Sequence, residues 1–195
     1  MGTSMASIRK RYTQRGLISL FLTCAFPLHV WTIILVLSDV SWITERTNVW
    51  DAVGVGAYAL TLALLESLIV FAVFFFVGFF TPGQWSVDKR VSFLSMLILI
   101  LSAWAIVSQL LFFWNVLLPE SAIRFLVQSG HPLRFMYAAS LAIVLPSIGV
   151  PVLVFLRSDR LFHFIQGLSE RLSLLTGFYL ILDLAGLIIV ITRNL

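Results

Sequence analysis

Three ionisable side chains lie inside apolar stretches of this 195-residue chain: His29, Glu66 and Asp183. Each is near the middle of a run long enough to cross a bilayer, so the three are expected at a similar depth. An ionised carboxylate facing lipid costs at least about 2.5–3.5 kcal/mol on insertion scales. Glu66 and Asp183 are therefore expected to face protein or a water-filled cavity. Two carboxyls in a low-dielectric core do not both ionise easily. Such a pair suits the movement of protons or cations, or the binding of a cationic group. The plainer alternative is structural: a neutral Glu66 hydrogen-bonded across a helix interface, and a neutral His29 imidazole bonded to a neighbouring helix. Thr176, Tyr179, Asp183 and Gly186 follow i, i+3, i+7, i+10 and form one polar stripe on a helix. That stripe adds Tyr179 to the candidate cluster of Glu66, Asp183 and His29.

Two further groups of residues are candidates for function. The stretch LPSIGVP places Pro146, Gly149 and Pro151 within six residues, the strongest breaker signal in the chain. Broken membrane helices mark substrate sites in transporters, although a proline kink is the commoner cause. Arg157, Arg160 and Arg171 are interleaved with Leu161, Phe162, Phe164, Ile165 and Leu168. That mixture suits an interfacial segment and makes the three arginines lipid head-group candidates.

Other chemistries lack their residues. Bis-histidine haem ligation needs two imidazoles at one depth, but His131 and His163 fall at opposite rims from each other and from the central His29. Zinc needs three or four suitable ligands, and neither HExxH nor a comparable cluster occurs. GxSxG, a Walker loop, a dinucleotide fingerprint and a paired-aspartate motif are absent. The single Cys24 excludes an internal disulfide and a cysteine metal cluster. No metal or other cofactor is expected.

The elements that must position these residues follow from composition. The chain is 60% hydrophobic and 11% charged, with mean hydropathy +1.02, which places it in the membrane class. Spans are expected at about 17–38, 52–80, 91–118, 132–156 and 172–192, since about 20 apolar residues cross the hydrocarbon core. Pro27 should kink the first span. In the second, Gly56, Ala59, Ala63 and Ser67 share a narrow face of the kind that packs membrane helices closely. Glu66 lies about 65° round from the centre of that face. Ser95, Ser102 and Gln109 recur every seven residues on the third span and suit interhelical hydrogen bonds. Trp42, Trp50, Trp85 and Trp114, with Asn115 beside the last, fit the membrane interfaces. Residues 39–51 are expected as a loop. Residues 119–131 and 157–171 are expected as short interfacial helices.

Loop charge sets the orientation. Residues 1–16, 81–90 and 157–171 hold nine Lys and Arg against four on the other side, Arg46, Arg124, Arg134 and Arg193. The positive-inside rule places residues 1–16 in the cytoplasm. The expectation is an all-α integral membrane protein: a bundle of five transmembrane helices, N-in and C-out, with two short interfacial helices. Residues 17–192 form its single membrane domain and 193–195 a short outside tail. An inner or plasma membrane is expected. The net charge of +4 points to anionic lipid head groups rather than to nucleic acid. The favoured functional reading is a non-catalytic membrane subunit or scaffold whose small and polar helix faces dock other membrane subunits or itself. A small transporter or ion-coupled carrier using Glu66 and Asp183 is the alternative, and a lipid-modifying enzyme is the second.

Overall fold

The computed structural model describes residues 11–113 and 117–195. Residues 1–10, with Arg9 and Lys10, and residues 114–116, with Trp114 and Asn115, lie outside the described residues. Among the described residues six α-helices follow one another: α1 Gln14–Arg46, α2 Val49–Val77, α3 Val87–Phe113, α4 Glu120–Gln128, α5 Pro132–Arg157 and α6 Asp159–Asn194. A 3-10 turn, Gly78–Phe80, closes α2. All of these except α4 are long and apolar enough to cross a membrane.

The helix starts are written in the sequence. Thr13 caps α1 by accepting from the Gly16 amide at 3.1 Å. Asn48 caps α2 by accepting from the Asp51 amide at 2.9 Å. Ser158 caps α6 through the Leu161 amide. Each side-chain oxygen satisfies an amide that has no partner within its helix.

Three expectations about element boundaries are corrected. Residues 39–51 are not a loop: α1 runs through to Arg46, and only Thr47 and Asn48 separate it from α2. Nothing between Asp39 and Arg46 breaks a helix, and the Arg46 guanidinium sits 4.3 Å over the Trp42 ring one turn earlier, a cation–π contact that holds the projecting end. The interfacial helix expected at residues 157–171 is not separate: Arg157 ends α5, and residues 159–171 begin the 36-residue α6. At about 1.5 Å per residue α6 is roughly 54 Å long, well beyond the hydrocarbon core. The Pro146, Gly149, Pro151 stretch is not a break, since α5 is continuous from Pro132 to Arg157. Each proline deletes one N–H. Ser147 donates to the Val144 carbonyl at 2.7 Å and accepts from the Trp104 indole on α3 at 2.7 Å, which ties this turn to its neighbour.

α1 is the central element, packed against α2, α3 and α6, with α6 also touching α2 and α3. The apolar core gathers Tyr12, Leu20, Cys24, Val91, Leu94 and Ile98, flanked by Val70, Phe71, Phe74 and Phe75 of α2. A smaller cluster of Met96, Phe155 and Ile165 joins α5 to α3 and α6 near one end. Phe155 is the buried residue of α5, and every residue from His131 to Ile143 is exposed. α5 therefore leans on the bundle by its C-terminal half.

Two polar ties close the ends. Arg90 is 1% exposed. It donates from Nε to Thr81 Oγ1 at 2.7 Å, from Nη1 to the Arg11 carbonyl at 2.6 Å and from Nη2 to the Pro82 carbonyl at 3.2 Å. The guanidinium thus satisfies three acceptors with one rigid fork. At the opposite end Arg193 pairs with Asp51 at 2.8 Å and donates to the Trp50 carbonyl.

Candidate functional site

The α1–α6 seam carries the polar chemistry. α6 buries Ile165, Ser169, Thr176, Asp183 and Gly186. Ser169, Thr176 and Asp183 recur at seven residues, a spacing that keeps side chains on one seam between two closely packed helices. α1 presents Thr23 and His29, both fully buried, with Ser19 half-buried at the start of the row.

Asp183 and His29 meet. Asp183 Oδ2 lies 2.8 Å from His29 Nε2, with the side chains 2% and 0% exposed. His29 Nδ1 lies 2.7 Å from the Ala25 carbonyl one turn earlier. A carbonyl only accepts, so Nδ1 carries a hydrogen. One further proton lies between Nε2 and Oδ2. The pair is then either imidazolium with carboxylate or imidazole with carboxylic acid, and it is neutral overall in both. The other carboxyl oxygen, Oδ1, is buried without a hydrogen-bond partner among the described residues. An unsatisfied buried polar atom costs about 1–3 kcal/mol. Tyr179 stacks parallel to His29, with ring centroids 6.0 Å apart and 3° between planes.

A second polar group continues the seam towards the end that bears Arg15, Asp88 and Glu170. The hydroxyls of Thr23 and Ser169 are 2.7 Å apart, with Ser19 and Ser95 at 3.3 and 3.4 Å from Ser169. The single Thr176 O–H is shared between the Leu172 carbonyl at 2.8 Å and the Leu22 carbonyl at 3.1 Å. Ser169 also lines a cleft of about 420 Å³ between α1, α3 and α6, where Ser19, Ser92, Gln166 and Ser173 add polar groups. Arg15 and Glu170 pair across its mouth at 3.8 Å. The polar row therefore starts at an open cleft and ends at an enclosed His–Asp pair. Between Thr176 and Asp183 the seam is lined by Phe26 and Tyr179, 6.3 Å apart.

Of the residues singled out from sequence, His29, Asp183 and Tyr179 come together and Glu66 does not join them. Glu66 is exposed on α2. Gly186 packs on Ala57, where a Cβ on Gly186 would lie 3.2 Å from the Ala57 carbonyl oxygen. Counting back along the antiparallel helices sets Asp183 level with about residue 60, and Glu66 roughly 9 Å further along the axis. The small face of α2 is used within the chain, with Ala63 and Ser67 buried and Gly56 against Val36. Ser95 is likewise buried inside. Arg157, Arg160 and Arg171 are all exposed. Among the described residues no three His, Cys, Asp or Glu side chains gather as metal ligands.

Ser19, Thr23, Ser169 and Arg90 are the residues that sequence reasoning missed. Ser169 was legible through its seven-residue spacing from Thr176 and Asp183, but the surrounding arginines make that segment look interfacial. Arg90 sits next to a turn and reads as an ordinary span-end charge. Compared with known proteins, the chain matches no family model, no curated protein and no solved structure.

Proposed function

We propose that the chain is a small proton-coupled membrane carrier whose proton-binding site is the His29–Asp183 pair. The observation that carries this reading is the buried Asp183 carboxyl, bonded to His29 through Oδ2 and unpartnered at Oδ1 among the described residues. A carboxyl serving only as structural glue is stabilised by filling both oxygens. One left open beside an imidazole is a place where a proton is gained and lost. Ionisable residues at mid-membrane facing a bundle interior are typical of proton relays. The neutral pair accepts a second proton at Oδ1 and returns it, while His29 holds the carboxyl in place through Nε2. Protons reach the site from the cleft by way of Ser19, Ser169 and Thr23. By the positive-inside rule this cleft opens to the cytoplasm. The seam beyond Thr176 is apolar, so passage needs α1 and α6 to shift, and the wide, lightly packed flank of α5 leaves room for such movement.

The docking reading draws its support from small and polar helix faces; Ala63, Ser67 and Ser95 of those faces are buried within the chain, while Gln109 stays exposed. The exposed arginines at 157, 160 and 171 suit anchoring at anionic head groups.

The test is a pair of measurements on purified protein in lipid. The infrared band of a protonated carboxyl should rise and fall with pH and vanish in Asp183→Asn. Vesicles carrying the protein should dissipate an imposed pH gradient faster than empty vesicles, and Asp183→Asn should return them to the empty rate. Titration without passage removes the carrier reading. Neither titration nor passage leaves the pair a structural clasp.

A further inference from the structure

Among the described residues, Glu66 is the carboxyl that the bundle turns outward at mid-span. It lies near the middle of the 29-residue α2, is exposed, and makes no hydrogen bond or ion pair among the described residues. Carboxyls in such positions are rare, because neither lipid nor a dry apolar surface solvates them. The surface around it is patterned. Val55, Leu62, Glu66, Ile69, Val73 and Phe76 keep to positions four and three apart, counted from Leu62, with Val55 seven before it. The five apolar members are each at least 45% exposed. The row is one face of α2 with the spacing a two-helix packing uses, and Glu66 is its single polar member. A lone polar residue in such a seam sets register and partner number.

From this seam we infer that two copies of the chain associate through α2, with Glu66 of each meeting Glu66 of the other. The bilayer gives both copies the same topology, so the two α2 helices run parallel and at equal depth. The same seam then faces itself, as a two-fold interface requires, and Glu66 has an identical side chain as its partner. A protonated carboxyl is self-complementary: each O–H donates to the carbonyl oxygen of the other. This surface is remote from the His29–Asp183 pair, and the inference stands whether or not that pair moves protons.

The experiment uses the full chain in liposomes at high lipid dilution, with single-molecule photobleaching to count copies and oxidative cross-linking to map the seam. Cysteines are introduced one at a time on a Cys24→Ser background. Leu62→Cys and Ile69→Cys keep Glu66 in place, and Leu68→Cys is exposed on the other side of α2. Two bleaching steps, with cross-links at 62 and 69 and none at 68, are expected. Glu66→Gln should keep the dimer, because paired amides also donate and accept. Glu66→Leu should raise the dissociation constant roughly three- to twenty-fold, the measured range for interhelical hydrogen bonds in membranes. Monomers at every dilution overturn the inference. So do dimers that cross-link at 68, and a Glu66 face covered by a different chain that co-purifies with single copies.

Discussion

Asp183 Oδ2 lies 2.8 Å from His29 Nε2 across the α1–α6 seam, and both side chains are closed off from solvent. The two residues stand 154 positions apart in the chain, yet they form the polar centre of the bundle. Removing one partner strands the other. Asp183→Ala leaves a buried imidazole without its partner at Nε2 and should cost about 3–5 kcal/mol, as breaking buried pairs does. Replacing both residues by leucine should return most of that stability. Thermal unfolding in detergent of the two single variants and the double variant measures the coupling. If the double variant is no more stable than Asp183→Ala, the pair is not acting as one unit.

Tyr179 acts on the pair through the His29 ring. Tyr179→Leu removes the stacked face while keeping the site apolar. The expected result is a lower melting temperature in detergent, because the imidazole loses a packed neighbour. Tyr179→Phe keeps the ring and should melt close to the unmodified protein.

Gly186 lets α6 approach α2. A Cβ there would lie 3.2 Å from the Ala57 carbonyl oxygen, and backbone cannot swing aside as a side chain can. Gly186→Ala should therefore lower stability by about 1–3 kcal/mol through overpacking. Gly177→Ala, where a Cβ meets nothing within 4 Å, should be neutral or slightly stabilising by helix propensity. Equal melting temperatures for the two variants would mean that the close approach at Gly186 carries no strain.

Arg90 holds the chain before α1 to the turn after α2. Arg90→Lys keeps the charge but cannot reach Thr81, Pro82 and Arg11 together. It should lose at least about 1.5 kcal/mol, the lower figure for one hydrogen bond from a charged donor. The loss should appear as earlier protease cutting before residue 14, relative to the unmodified protein.

Tyr12 gives the same end a pH dependence. Burial pushes its phenol above the ordinary value, against the opposite pull of Arg90 and Arg11. Its hydroxyl donates to the Phe75 carbonyl at 3.0 Å, which only the protonated form can do. A raised folded value means the contribution is fully present below about pH 10, the unfolded value, and is lost as pH rises through the folded one. Alkaline melts should show a drop above about pH 10 that Tyr12→Phe abolishes.

The sequence by itself determined the all-helical membrane class and five runs long and apolar enough to span a membrane. Hydrophobic run length is local, so it can be read without knowing what packs on what. It also singled out His29, Asp183 and Tyr179, because ionisable and hydroxyl groups stand out in apolar runs. Which of them meet was decided only by the tertiary structure. Glu66 and Asp183 are both carboxyls near the middle of their helices, yet one turns outward and the other inward. Helix rotation is set by the sum of packing contacts along α2, where Ala63, Ser67 and the Gly186–Ala57 approach outweigh a single carboxyl. The continuity of α5 through Pro146 and Pro151, and of α6 through residues 159–171, was decided the same way. In α5 the Ser147 hydroxyl, bonded to the Val144 carbonyl and the Trp104 indole, ties the proline turn to α3, and no local signal records that this neighbour will be present.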